Sequence, residues 1–234
     1  MTLAYILAGV TALLVVVLLV GERGAAPWRG WVKGAASAAF IGTALAAGAT
    51  DSPYGGWVLA ALCLGWVGDV SLVSGRRTWF LVGLAAFLLS HLAYIGAFAA
   101  VRPNAVVALI AAAGLLVPAA MVARWLWPHL GTDMRGPVLA YLAVISAMVA
   151  AAAGAVIGQG PAPATAAVVL LTQGEPLPGW VWDAAVMAAA VAFYFSDISV
   201  ARDRFVAPGF VNRIWGLPLY YGAQILFALS VGWL

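Results

Sequence analysis

The sequence predicts an all-α polytopic membrane protein of about eight transmembrane helices, folded as a single transmembrane domain over residues 1–234. Three observations lead there. Of the 234 residues, 65% are hydrophobic and only 8% charged, whereas a soluble domain carries about 25% charged residues to face water. Apolar runs of about 18 or more residues, each able to cross a hydrocarbon core about 30 Å thick as a helix, recur along the whole chain. These runs are continuous rather than alternating. Lipid offers the backbone no hydrogen bonds, so such runs must be helices and not barrel strands.

The elements follow in order. Residues Met1 to Val20 are apolar with no basic stretch before them. The run exceeds a typical signal-peptide core of about 7–15 residues, which predicts a retained first helix. Spans are expected at 2–20, 31–49, 57–74, 79–100, 104–123, 137–157, 180–200 and 213–232. Short loops between them make sequence neighbours antiparallel neighbours in space. The one longer connection, Gly158 to Gly179, holds four prolines, and its apolar piece Ala164–Leu171 is too short to cross. An interfacial or re-entrant segment is expected there.

The net charge of +3 does not signal nucleic acid, because the basic residues sit in short loops and report topology. Arg23, Arg29, Lys33, Arg76, Arg77, Arg124, Arg135, Arg202, Arg204 and Arg213 lie in or beside odd-numbered loops, and Arg102 in an even-numbered one. Positive loops stay cytoplasmic. The expectation is therefore a cell (inner) membrane protein with both termini extracytoplasmic. Cys63, the one cysteine, excludes an internal disulfide and a paired-cysteine zinc motif, and reads as a small core residue.

The two halves share a pattern. Residues 68–76 read G-D-V-S-L-V-S-G-R and residues 196–204 read S-D-I-S-V-A-R-D-R, so Asp, Ser and Arg coincide without a gap. Each segment ends an odd-numbered span, and each is followed by an even span with a polar pair, His91 with Tyr94 and Tyr221 with Gln224. Four spans per half give both halves one orientation. That is the arrangement of two parallel four-helix repeats, here 1–103 and 104–234.

Asp69 and Asp197 carry the most information, because a charged residue within a span costs roughly 2.5–3.5 kcal/mol on insertion scales and usually faces a polar interior. The plainer alternative is a shallow helix-end carboxylate satisfied by water or a nearby arginine. Arg76 and Arg204 each lie seven residues after an Asp. Seven is close to two helical turns, so each Asp would stand above its Arg if the helix continued. These arginines read either as a phosphate clamp or as snorkelling cytoplasmic residues. His91 falls about 18 Å along its helix, near the midplane, and Tyr94 shares its face. Tyr221 and Gln224 are three apart on the last span. Each of these pairs is open to an interhelical hydrogen-bonding role instead. Ser196 and Ser199 have the further option of bonding back to their own backbone. His129 sits in a loop without an evident partner. A metal site from Asp69, His91 and Asp197 is chemically allowed, but no second histidine lies within a span. No metal and no cofactor is expected, and neither a nucleophile elbow nor a phosphate-binding glycine loop is present.

At these residues the chain resembles the YhhN-like family of integral membrane lysoplasmalogenases. The matching pieces are Gly68-Asp69; Phe80-x-x-Gly83 with Phe87-x-x-x-His91-x-x-Tyr94; Phe195-Ser196-Asp197 running to Arg204-Phe205; and Tyr220-Tyr221-x-Ala223-Gln224. Lys33 resembles the family's lysine at the start of helix two, although Gly34 follows it where proline is usual. Val200 to Asp203 also depart from the family's run, and the 158–179 stretch is unusual.

The resemblance implies hydrolysis of the vinyl ether bond of a lysoplasmalogen to a fatty aldehyde and a glycerophospho-base. Its implied catalytic residues are Asp69, Asp197 and His91. Tyr94, Tyr221, Gln224, Ser196, Arg76, Arg204 and Lys33 would bind substrate. The chemistry suits these groups. A vinyl ether hydrolyses through protonation of its β-carbon to an oxocarbenium-like ion that water captures, which calls for one carboxyl held protonated and another group to stabilise the cation or deprotonate water, a logic that resembles the carboxylate pair of glycosidases. Two nearby acids in a low-dielectric site do not both ionise readily, which keeps a proton available. The implied partners are a lysophospholipid and the bilayer. The alternative from another class is a proton-coupled transporter using the same acids as a relay. Polar residues cluster in the cytoplasmic half, however, and a transporter needs them on both sides.

Overall fold

The computed structural model describes residues 1–158 and 178–234. The expectation for Ala164–Leu171 falls outside the described residues. The described chain forms eight long α-helices: α1 Thr2–Arg23, α2 Arg29–Ala46, α3 Pro53–Leu72, α4 Arg77–Ala100, α5 Ala105–Leu126, α6 Thr132–Gly158, α7 Gly179–Ala201 and α8 Phe210–Ser230. No strand occurs among the described residues. The fold is all-α and polytopic, as predicted.

Seven of the eight helices are long and apolar enough to cross a membrane. The exception is α2, an 18-residue helix that carries Arg29, Lys33, Ser37 and Thr43. It packs against α1, α3 and α8 inside the bundle, so its polar side chains meet protein rather than lipid. Two helix starts lie four or more residues ahead of expectation. Ser52 caps α3 by accepting the Gly55 N–H at 3.0 Å, with Pro53 at the first helical position. The helix therefore begins four residues before the apolar run does. α6 begins at Thr132, ahead of Pro137, because a proline near a helix start removes few intrahelical bonds.

Consecutive helices pair as α1–α2, α3–α4, α5–α6 and α7–α8. Within each half the second helix packs on the third, α2 on α3 and α6 on α7. Across the halves the last helix of one packs on the second of the other, α4 on α6 and α8 on α2. The core between them is aromatic, with Phe40, Phe87, Tyr94, Phe98, Phe193, Tyr220, Tyr221 and Phe227 buried. α5 lies outermost and buries only Leu126. Exposed Trp31, Trp79 and Trp127 ring one end and Trp57 and Trp180 the other, as in interfacial aromatic belts. The chain is an integral membrane protein. Its cationic end gathers Arg29, Arg77, Arg204 and Arg213, where Arg77 pairs with Asp133, and Arg213 pairs with Glu22.

Candidate functional site

A cavity of about 300 Å³ opens at this cationic end. Both Asp69, from the last turn of α3, and Asp197, from the last turns of α7, line it. The wall between them is apolar, from Phe80, Leu84, Phe87 and Leu217, with Lys33, Tyr141, Ser196, Arg204 and Tyr220 supplying polar groups.

The two acids are held in matching ways. Asp69 is held from α2 and α8. Lys33 Nζ lies 3.2 Å from Oδ1, while Ser37 Oγ at 2.6 Å and Tyr220 OH at 2.7 Å both donate to Oδ2. Asp197 is held from α6 and α4. Tyr141 OH donates to Oδ2 at 2.7 Å, and His91 Nε2 stands 3.5 Å from the same oxygen. Each acid thus takes one contact set from the second helix of its own half and one from the last helix of the other half. Their exposure differs: the Asp69 side chain is 2% exposed and that of Asp197 15%.

His91 is fully buried and does not line the cavity. Its Nδ1 lies 2.6 Å from the Phe87 carbonyl oxygen. A carbonyl only accepts, so Nδ1 carries the hydrogen. Nε2 then faces Asp197 and makes no hydrogen bond in the described structure. The ring is clamped edge-on by Tyr141 and Phe193, with centroids at 5.4 and 4.6 Å.

The remaining expected site residues divide. Ser196, Lys33 and Arg204 line the cavity, and the Arg204 guanidinium lies 4.4 Å above the Phe80 ring. Tyr94, Tyr221 and Gln224 do not line it and are buried. They form a hydrogen-bonded support behind the acids. Tyr94 OH donates to Gln224 Oε1 at 2.5 Å, and Gln224 Nε2 to Tyr220 OH at 3.1 Å. Tyr221 OH donates to the Lys33 carbonyl at 3.2 Å and lies 3.1 Å from Ser37 Oγ. Buried polar groups in a bundle core pair with each other, and these do.

Arg76 is exposed at the start of α4 and outside the cavity. The two-turn spacing fails there because α3 stops at Leu72, and Gly75, at φ +65, reverses the chain. Past Asp197 the helix does continue, through a π-helical turn, Arg202–Val206, and Arg204 reaches the cavity.

Four contributors have no role in the sequence reading, although Tyr220 stands in one of the matching pieces. Ser37 follows Lys33 by four residues and so shares its helix face, which is a usable signal. Tyr220 adjoins Tyr221. Tyr141 has no local mark, since its partner is 56 residues away. Glu22 lines the cavity mouth and pairs with Arg213 and Arg29. Among the described residues no group of three or more His, Cys, Asp or Glu is placed to hold a metal.

A model of the YhhN family matches residues 28–231. A lysoplasmalogenase of Mycobacterium bovis is 42% identical over 200 residues, covering 78% of this chain and 64% of that protein. Human Lysoplasmalogenase TMEM86B is 30% identical over 184 residues, covering 76% and 66%. Bovine Lysoplasmalogenase TMEM86A is 26% identical over 176 residues, covering 74% and 64%. The chain thus spans about 64% of the length of the mycobacterial relative. No solved structure matches it.

Proposed function

This chain belongs to the YhhN family, and we propose that it is a membrane-embedded hydrolase that cleaves the vinyl ether bond of a lysoplasmalogen to a fatty aldehyde and a glycerophospho-base. The observation that carries this reading is the pair of carboxyls, Asp69 and Asp197, on one cavity at the cationic end of the bundle. Acid and base chemistry on a vinyl ether needs carboxyl groups within reach of the bond and little else. Curated relatives carrying the name lysoplasmalogenase support the substrate class.

The cavity's division into apolar and charged walls suits a single-chain phospholipid. Phe80, Leu84, Phe87 and Leu217 form a slot for the alkenyl chain, which continues into the bilayer. Arg204 at the mouth is the phosphate contact, because Lys33 is engaged with Asp69, and Arg213 with Glu22 and Asp203. A guanidinium matches phosphate oxygens well. The cavity mouth faces the cytoplasm of a cell (inner) membrane in this reading, with both termini outside, because cationic loops stay inside.

The test is aldehyde release by the purified protein in detergent from a lysoplasmenyl phospholipid, beside the saturated alkyl-ether lysolipid, which lacks the double bond to protonate. Release from the first alone is expected. No release, with proton movement across liposomes instead, replaces the hydrolase by a transporter.

A further inference from the structure

The two carboxyls share a cavity but not an environment. Asp69 has its negative charge answered. A lysine ammonium lies at Oδ1 and two hydroxyls at Oδ2, and opposite charge and donated hydrogen bonds both favour an ionised carboxylate. Its 2% exposure leaves little of it for a substrate to touch.

Among the described residues no cation pairs with Asp197 other than what His91 becomes. Tyr141 donates one hydrogen bond to Oδ2. The His91 ring already donates through Nδ1, so the atom 3.5 Å from Oδ2 is Nε2, buried and otherwise unpartnered. A lone pair on Nε2 facing an ionised carboxylate would leave Nε2 without a partner and set it against a negative oxygen, which costs about 1–3 kcal/mol or more. One proton between Nε2 and Oδ2 satisfies both. The Tyr141 hydrogen bond and the His91 contact both fall on Oδ2, while the side chain is 15% exposed and lines the cavity.

We infer that the Asp197–His91 pair holds the reactive proton and carries the proton traffic of hydrolysis, while Asp69 is an ionised positioning residue that fixes Lys33 and Tyr220 at the cavity wall. This rests on the hydrolase reading for its chemistry, though not for the location of the proton. The carboxyl torsion of an aspartate is soft, so the protonated oxygen turns from His91 to the cavity. The Asp197 O–H bond breaks as the double bond's electron pair takes the proton at the β-carbon, leaving an oxocarbenium ion and the Asp197 carboxylate. Water adds its oxygen to the charged carbon and gives one proton back to Asp197, forming a neutral hemiacetal. The carbon–glycerol oxygen bond then breaks. The hemiacetal hydroxyl proton passes through the same carboxyl to the departing oxygen, releasing aldehyde and alcohol with Asp197 protonated again. His91 is a positioning residue here, since it touches the carboxyl and not the cavity.

Infrared spectroscopy of the full chain in detergent near neutral pH reads the proton directly, because a protonated carboxyl absorbs apart from a carboxylate. Wild type is expected to show such a band, D197N to lose it, and D69N to keep it. K33M should add a second band, as Asp69 loses its counter-ion and takes up a proton, whereas K33R should not. A merely structural Lys33 moves neither. In aldehyde release D197N should fall about 10²–10⁴-fold in kcat, and D69N should change KM more than kcat. A band lost in D69N and kept in D197N, or no band in wild type, overturns the assignment. If D69N does not fold, K33M and D197N still decide. Wild type with the band but without aldehyde release refutes the hydrolase and leaves the proton where it is placed.

Discussion

Gly65 offers the sharpest test of the polar chain behind the acids. A Cβ at this position on α3 would lie 2.7 Å from Gln224 Nε2 and 3.2 Å from Tyr220 OH, inside van der Waals contact. Gln224 has nowhere to withdraw to, since it is fully buried and bonded on both sides, to Tyr94 and to Tyr220. In Gly65→Ala either α3 moves off α8 or Gln224 breaks those bonds. Overpacking of this kind costs about 1–3 kcal/mol, and each interhelical hydrogen bond in a membrane bundle is worth about 0.6 kcal/mol on average. Against this stands a helix-propensity gain of about 0.8–1 kcal/mol for replacing glycine with alanine. The net expectation is a loss of up to about 2 kcal/mol. Gly222→Ala on α8 is the control, because nothing lies within 4 Å of its Cβ. The propensity gain should survive there and the protein should become slightly more stable. Unfolding in one detergent preparation measures both, with size exclusion to confirm monodispersity. If Gly65→Ala is as stable as Gly222→Ala, the tight approach of α3 and α8 through Gln224 is wrong.

Two further outcomes are expected. Arg204→Ala should raise KM for a lysoplasmenyl phospholipid with kcat little changed, since a phosphate contact is similar in ground and transition states, while Arg76→Ala, outside the cavity, should change neither; equal effects would remove Arg204 from the phosphate contact. Reporter fusions should place both termini on the face opposite the cavity mouth, and a cytoplasmic C-terminus would reverse the orientation drawn from the Lys and Arg distribution.

The helices are legible in the sequence because apolar length is a local property and the bilayer imposes it. α2 is the least legible for the same reason. Its Lys33 and Ser37 make sense only once Asp69 is seen opposite them. The acids and His91 stand out because a polar group in an apolar run is rare. What they bond to does not, since Tyr141 and Tyr220 lie 56 and 151 residues away from their carboxylates. Sequence spacing also treats a helix as continuous, and so it pairs Arg76 with Asp69 across a turn that Gly75 breaks. The mid-span pairs, Tyr94 with His91 and Tyr221 with Gln224, are equally compatible with binding and with interhelical bonding until burial separates them. Tyr94, Tyr221 and Gln224 turn out to be support and not lining.

On a reading of the chain as two four-helix repeats, the site's asymmetry has a simple origin. A symmetric frame would give both acids the same neighbours, and two identical carboxyls on one cavity have no reason to divide into a proton donor and an anion. The divergence lies in the partners. On the second helix of each half, Lys33 with Ser37 answers Asp69, whereas Tyr141 answers Asp197. On the last helices a phenol, Tyr220, meets Asp69, whereas an imidazole meets Asp197. A lysine and two hydroxyls stabilise charge. A tyrosine and a histidine with its Nδ1 hydrogen already committed stabilise a shared proton. Exchanging the partners of one acid for those of the other, rather than moving either acid, is therefore the change that would exchange their roles.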